Sequence, residues 1–236
     1  LSRLLDPAAA LRATAGSDLS FICSRPLGGT DVLDGLWRRL GIDTAMSRLL
    51  AKRRGGSPFE RVLFGLVANR ALAPSSKLAA ADWINHDVHI DGLPETSDDA
   101  CYRAMDWLHD VREQLEAGVF RQVANLLNLE VDLLFFDTTS TYFELAEPDE
   151  PVARDDRGHP LPDPGEKDGQ DTSIAFRTYG KSKDSRDDLP QIVIGMAVTR
   201  DGIPVRVWCW PGNTNDSALI RQVKADMRDW TLSRIV

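Results

Sequence analysis

The chain has 236 residues, 42% of them apolar and 27% charged, with a formal net charge of −8. That length carries one large or two small domains with a proper core, and no apolar run approaches the roughly 18 residues of a membrane span. The first residues, Leu1-Ser2-Arg3-Leu4-Leu5-Asp6, do not read as a secretory leader, and the overall charge balance is not the basic one of nucleic-acid-type proteins, but the average hides two opposed regions. Arg38 to Arg70 holds eight basic residues against Asp43 and Glu60, whereas Glu144 to Asp171 holds ten acidic residues against Arg154, Arg157 and Lys167. Whole-chain charge therefore says little about partners.

In chain order, the first half reads as helical. Thr30 is placed to cap a helix over Asp31–Leu40, with Val32, Leu33, Leu36, Trp37 and Leu40 on one face and Gly41 closing it. Asp43 is placed to cap the next helix, which ends near Arg53-Arg54-Gly55. Ser57-Pro58-Phe59-Glu60 has the spacing of a capping box with proline at the first helical position. It opens a helix that buries Phe59, Leu63, Leu66, Val67 and the stem of Arg70 and stops before Pro74. Ser75 or Ser76 starts a shorter helix to about Asn85, and His86–Thr96 is a loop. From Asp98 to Leu129 the spacing of Cys101, Met105, Leu108, Val111, Leu115, Val119, Val123 and Leu126 is helical, with a break predicted near Asp110.

The period then changes. Val131–Phe136 is a short apolar run suited to a buried strand ending at Asp137. Gln191–Thr199 and Ile203–Trp210 are two further strands, joined through the hairpin signal Asp201-Gly202. Asn215 or Asp216 caps a helix to about Trp230, and Arg234-Ile235-Val236 reads as the opening of a fourth strand. Glu144–Asp171, with five prolines and ten acids, reads as a solvated insertion or disordered loop. Fold class is α+β: a helical region 1–129, then a sheet domain 130–236. The cysteines Cys23, Cys101 and Cys209 have no metal-type spacing and read as isolated buried thiols of a reducing compartment.

Asp137 is the sharpest chemical candidate. A carboxylate at the end of a buried strand has a rigid support, and hard cations such as Mg²⁺ take oxygen ligands; the same residue also reads as a strand end whose side chain caps the amides of Thr138 and Thr139. Arg177, Lys181, Lys183 and Arg186 lie just before a strand, and a basic loop entering a sheet can hold a nucleic-acid backbone. A solvated loop balanced by Asp184, Asp187 and Asp188 fits the same residues. Lys52, Arg53 and Arg54 head a second basic candidate surface, on helices where solvated cations are also common. Pro211-Gly212-Asn213-Thr214-Asn215-Asp216 offers free amides at a helix start to an anion, or is an ordinary turn with an N-cap. His86, His89, His109 and His159 have no zinc spacing.

Several of these segments together carry a resemblance that singly they do not. Phe136-Asp137-Thr138-Thr139-Ser140-Thr141-Tyr142-Phe143-Glu144, Tyr179-Gly180-Lys181-Ser182-Lys183-Asp184, Asp188-Leu189-Pro190-Gln191, Gly195-Met196-Ala197-Val198, Asp201-Gly202-Ile203-Pro204 and Pro211-Gly212-Asn213-Thr214-Asn215-Asp216 occur in this order. With Val67-Ala68-Asn69-Arg70 and Pro74-Ser75-Ser76-Lys77-Leu78 upstream, the chain resembles insertion-sequence transposases of the DDE superfamily, in the IS-four-like group. The resemblance implies an RNase H-like catalytic core with a mixed sheet, here incomplete, and places the first catalytic, metal-binding aspartate at Asp137. The group's second aspartate and its glutamate fall beyond Val236, so the chain reads as a truncated transposase. It departs from the group at Lys181 and at Ser185-Arg186-Asp187.

The activity implied for the complete enzyme is cutting and joining double-stranded DNA at element ends and target by phosphoryl transfer, with two Mg²⁺ or Mn²⁺ ions roughly 3.5–4 Å apart between three carboxylates. A homo-oligomer, a cytoplasmic, nucleoid-associated location and no membrane association go with it. With one of three carboxylates, this chain alone is expected to be inactive. The alternative is a non-catalytic DNA-binding or regulatory remnant of a transposable element.

Overall fold

In a computed structural model of the chain, the structure describes residues 23–51, 57–127, 134–154, 160–161 and 173–228. The chain divides into two compact units, Leu1–Leu108 and His109–Val236. The described residues form six helices and one three-stranded sheet, an α+β architecture.

The first unit is helical. Helix α1 spans Gly28–Arg39. Thr30 does not cap it but lies inside it, 2% exposed, with its hydroxyl 2.8 Å from Leu27 O and 2.7 Å from His89 O. A hydroxyl shared between two carbonyls acts as a donor and leaves the helix's first amides uncapped. The apolar face is narrower than its sequence suggests: Val32 and Leu36 flank the stripe and are exposed, while Trp37 is buried. Gly41, at φ 68°, turns the chain into α2, Ile42–Leu50. No side chain caps α2, and Asp43 sits in its first turn, where a carboxylate faces the positive end of the helix dipole. The predicted end at Arg53-Arg54 lies outside the described residues.

Helix α3, Phe59–Leu72, starts after Pro58, but the expected capping box does not form. The Glu60 carboxylate is taken elsewhere: Trp37 Nε1 donates to it at 2.7 Å and Arg61 Nε at 2.7 Å. Arg61 also reaches Asp34 Oδ1 at 2.7 Å, and its guanidinium lies 4.7 Å from the centre of the Phe64 ring. Two hydrogen-bonded carboxylates hold that guanidinium firmly charged. Beneath this network α3 buries Phe59, Val62, Leu63, Phe64 and Ala68, whereas Val67 and Arg70 face solvent.

Helix α4, Lys77–His86, is capped by Ser76, whose Oγ accepts from the Ala79 amide at 3.2 Å. Ser76→Ala removes the acceptor for one orphan amide. It is expected to lower stability by about 1 kcal/mol, read as a shift in the urea midpoint at unchanged slope. The loop after α4 is pinned by Asn85, which exchanges hydrogen bonds of 2.7 and 3.0 Å with the backbone of Thr96. Helix α5 then runs without interruption from Asp98 to Leu127. The predicted break at Asp110 is absent: the segment contains no proline, and an acidic residue on the exposed side does not interrupt a hydrogen-bond ladder.

In the second unit, β1 (Leu134–Tyr142), β2 (Gln191–Thr199) and β3 (Pro204–Pro211) form an antiparallel sheet in that order. β1 is longer at its C-terminal end than the apolar run that announces it. Burial alternates along it, with Leu134, Thr138 and Ser140 buried and Phe135, Asp137, Thr139 and Thr141 exposed. Its hydroxyl-bearing half, Thr138-Thr139-Ser140-Thr141, is rich in β-branched residues and continues the pleat. Residues 131–133 lie outside the described residues, as does the fourth strand expected at Arg234. Every described strand pair is antiparallel, so the sheet is not mixed among the described residues.

Gly202, at φ 78°, closes the β2–β3 turn, its amide donating to Thr199 O at 3.0 Å. Phe120 of α5, with Leu219 and Val223 of α6 (Asp216–Asp226) and Met227 beyond it, packs on one sheet face against Leu134, Val193, Ala197, Val205, Trp208 and Trp210. The two tryptophans stack at 6.2 Å with 6° between their planes, and Phe136 meets Trp208 edge-on at 5.7 Å. The acidic segment is not wholly solvated: Val152 bridges Ile174, Arg154 bridges Pro160, and Ala153 is buried. Of the cysteines only Cys101 is buried; Cys23 and Cys209 are exposed, Cys209 because it alternates with Trp208 and Trp210 onto the opposite sheet face.

Candidate nucleic-acid interface around Asp137

Asp137 is the fourth residue of β1, opposite Met196 of β2. It stands within the strand rather than at its end, because the ladder continues to Tyr142. Its side chain is 98% exposed, on the sheet face that α5 and α6 leave uncovered. Phe135, Thr139, Met196 and Val207 share that face around a shallow hollow of ≈ 280 Å³. One carboxylate oxygen accepts from the Thr138 amide at 2.8 Å, the local bond of a turn-forming aspartate made inside a strand. β1 is an outer strand among the described residues, so a carboxylate there is wetted from the flank and from above.

The loop between Arg177 and Pro190 is fastened to the sheet at both ends. At its base Thr178 and Gln191 exchange backbone hydrogen bonds of 3.1 and 3.0 Å. There Gly180 and Gly212 approach so closely that a Cβ on Gly180 would stand 1.9 Å from Gly212 O. Only glycine permits two backbones to cross at that distance. At the far end Lys183 is strapped to β1. Its amide donates to Ser140 Oγ at 2.9 Å, and its ammonium donates to Thr138 Oγ1 at 2.8 Å and to the Thr138 carbonyl. That places Lys183 Nζ 3.9 Å from Asp137 Oδ1.

The remaining cations of the loop are divided. Arg177 Nε donates to Asp149 Oδ1 at 2.7 Å while the Arg177 amide donates to Oδ2 at 2.9 Å. The guanidinium bond holds the Asp149 carboxyl below the usual carboxylate range. Arg186 makes two bonds of 2.9 Å to Asp188 and lies over the Tyr142 ring. Both arginines thus have carboxylate partners of their own. Lys181 is exposed. Lys52, Arg53 and Arg54 lie outside the described residues; among the described residues the predicted cation brought beside Asp137 is Lys183.

Comparison with protein-family models, with curated proteins and with solved structures finds no match for this chain.

The strand-to-helix turn at Pro211–Asp216 uses its own amides. Gly212 N donates to Phe176 O at 3.1 Å, and Thr214 N and Oγ1 both donate to Pro211 O, at 3.0 and 2.7 Å. Those two amides are committed to the fold. Among the described residues no three His, Cys, Asp or Glu side chains stand together. Asp137 is one oxygen-donor residue, with an ammonium rather than a second carboxylate as its charged neighbour.

In the sequence Lys183 is one cation of four in its loop. The alternation of β1 puts Thr138 and Ser140 on the same side, and a lysine in a loop that returns to that strand has two hydroxyls to meet. That signal is weak without coordinates. Arg206, 7% exposed and bound to Glu113, was missed altogether, since a lone arginine inside an apolar strand has no visible partner in the sequence.

Proposed function

We propose that this chain is part of a DNA transposase of the DDE type with an RNase H-like core, in which Asp137 is the first catalytic carboxylate. The observation that carries the reading is the position of Asp137: a solvated carboxylate on β1, the strand that pairs with the following hairpin in the order β1-β2-β3. The motif order from Phe136 to Asp216 supports the same reading. The loop cations Lys181 and Lys183 supply charge for a phosphate backbone. Mg²⁺ or Mn²⁺ belongs to the reading of the complete enzyme, where it supplies charge stabilisation at the phosphate. Among the described residues of this site, Asp137 is the residue that would hold it.

The chain's own residues present a carboxylate and an ammonium on a rigid strand, the kind of support on which a site keeps its geometry. No helix among the described residues is long and apolar enough to cross a membrane.

The test uses the purified chain with a labelled duplex across a salt series, followed by a plasmid strand-transfer assay with Mg²⁺. Salt-sensitive duplex binding with no strand transfer by this chain, and strand transfer by a longer chain that supplies two further carboxylates, is the expected result. Binding in both chains with transfer in neither favours the non-catalytic remnant. Failure of both chains to bind the duplex at low salt rejects the reading.

A further inference from the structure

Three facts about Lys183 stand together. Its ammonium is fixed by Thr138 Oγ1 and the Thr138 carbonyl, its backbone is tied to Ser140, and it lies 3.9 Å from the Asp137 carboxylate. Its side chain is nonetheless 44% exposed, beside an aspartate that is 98% exposed. An incoming phosphate can therefore reach both. The loop arginines differ: Arg177 and Arg186 each hold a carboxylate of their own within 3 Å.

We propose that Lys183 is a phosphate-positioning residue, which holds a nucleic-acid phosphate against Asp137 while Lys181 supplies only diffuse attraction. The proposal rests on the duplex-binding part of the transposase reading. Its physical content is a coupling between one cation and one anion. In the absence of divalent metal, a phosphate seated on Lys183 is repelled by the Asp137 carboxylate a few ångströms away. Asp137→Asn then removes a repulsion that exists only while Lys183 brings the phosphate there. For unit charges about 5 Å apart in water that repulsion corresponds to roughly a fourfold change in affinity.

The experiment measures duplex affinity by fluorescence anisotropy in EDTA, with a labelled duplex of about 30 base pairs, over a potassium chloride series. The variants are Asp137→Asn, Lys183→Gln, Lys181→Gln and the pairs of each lysine change with Asp137→Asn. Lys183→Gln keeps a donor for the Thr138 carbonyl while removing the charge. Expected is a gain of about fourfold on Asp137→Asn that survives Lys181→Gln and disappears in Lys183→Gln, with the salt slope falling by about 0.9 in Lys183→Gln. Ser140→Ala, which loosens the loop but leaves the ammonium, keeps the gain. Should Lys183→Gln not fold, Lys183→Arg serves: charge is retained, so the gain is retained, and loss of the gain there overturns the proposal.

A gain that persists in folded Lys183→Gln, with duplex binding otherwise intact, overturns the positioning role and leaves the transposase reading standing. No duplex binding by the unaltered chain overturns both.

Discussion

Gly212→Ala is expected to destabilise the second unit by about 3 kcal/mol, the upper range for forcing atoms into a packed interior, and to lower its melting temperature by on the order of 10 °C. The new methyl group would stand 2.2 Å from Gln191 O and 2.4 Å from Thr178 O. Both are backbone atoms, so no side-chain rotation relieves the overlap. They are also the two carbonyls of the Thr178–Gln191 bridge, and relief of the clash opens the base of the Arg177–Pro190 loop. The Gln191 side chain, fully buried, donates to Gly212 O at 3.1 Å and loses that bond as well. Calorimetry measures the loss, and hydrogen exchange at the Gln191 amide locates it. An unchanged melting temperature would show that the crossing at Gly180 and Gly212 is not as tight as described.

Arg206→Met is expected to cost a further unit of stability of the same size, about 3 kcal/mol at neutral pH. Arg206 lies among apolar residues yet bonds Glu113 Oε1 at 3.0 Å and the Asp226 carbonyl at 3.2 Å. Its guanidinium lies 5.3 Å from the centre of the Trp208 ring, and Glu116 is 3.5 Å from its Nε. Methionine fills much of the volume but leaves Glu116 half-buried without its cation. Burial already pushes the Glu116 carboxyl up from its ordinary value, and Arg206 is one of the groups that restrains it. Removing Arg206 raises it further.

A carboxyl that holds its proton more tightly when folded stabilises the fold at low pH, and that contribution is lost as pH rises from the unfolded pKa through the raised one. The deficit of Arg206→Met should therefore be smallest below the ordinary glutamate range and grow as pH rises above it. Urea denaturation of both proteins at pH 4 and pH 7 checks this; a deficit that shrinks with rising pH contradicts the account.

The sequence carried the element order well and the details of attachment poorly. Apart from the end of β1, strand and helix periods located the described elements to within a few residues because local patterns encode them: the hairpin at Asp201-Gly202, the Ser76 cap, the stop before Pro74. Errors arose where a side chain found a distant partner. Thr30 bonds a carbonyl 59 residues away and Glu60 is held by Trp37, so neither served its helix end. The apolar run that announces β1 starts at Val131, with 131–133 outside the described residues, and ends at Phe136, six residues short of the strand's end at Tyr142; the hydroxyl-bearing residues after it read equally as phosphate contacts or as more of the same strand, and the structure makes them strand. At the candidate site Asp137 was legible from its place after an apolar run. The ammonium beside it was not, because the contact spans 46 positions and depends on how one loop returns.

One flank of β1 is unpaired among the described strands. A bare strand flank invites the backbone of another molecule to zip onto it. Here, at Thr138, the amide is covered by the Asp137 carboxylate and the carbonyl by the Lys183 ammonium, so a newcomer must strip away two charges before it can bond. Asp137, whose replacement tests the proposed function, is thus also a guard against self-association, and an Asp137→Asn variant that clumps would be reporting on the guard.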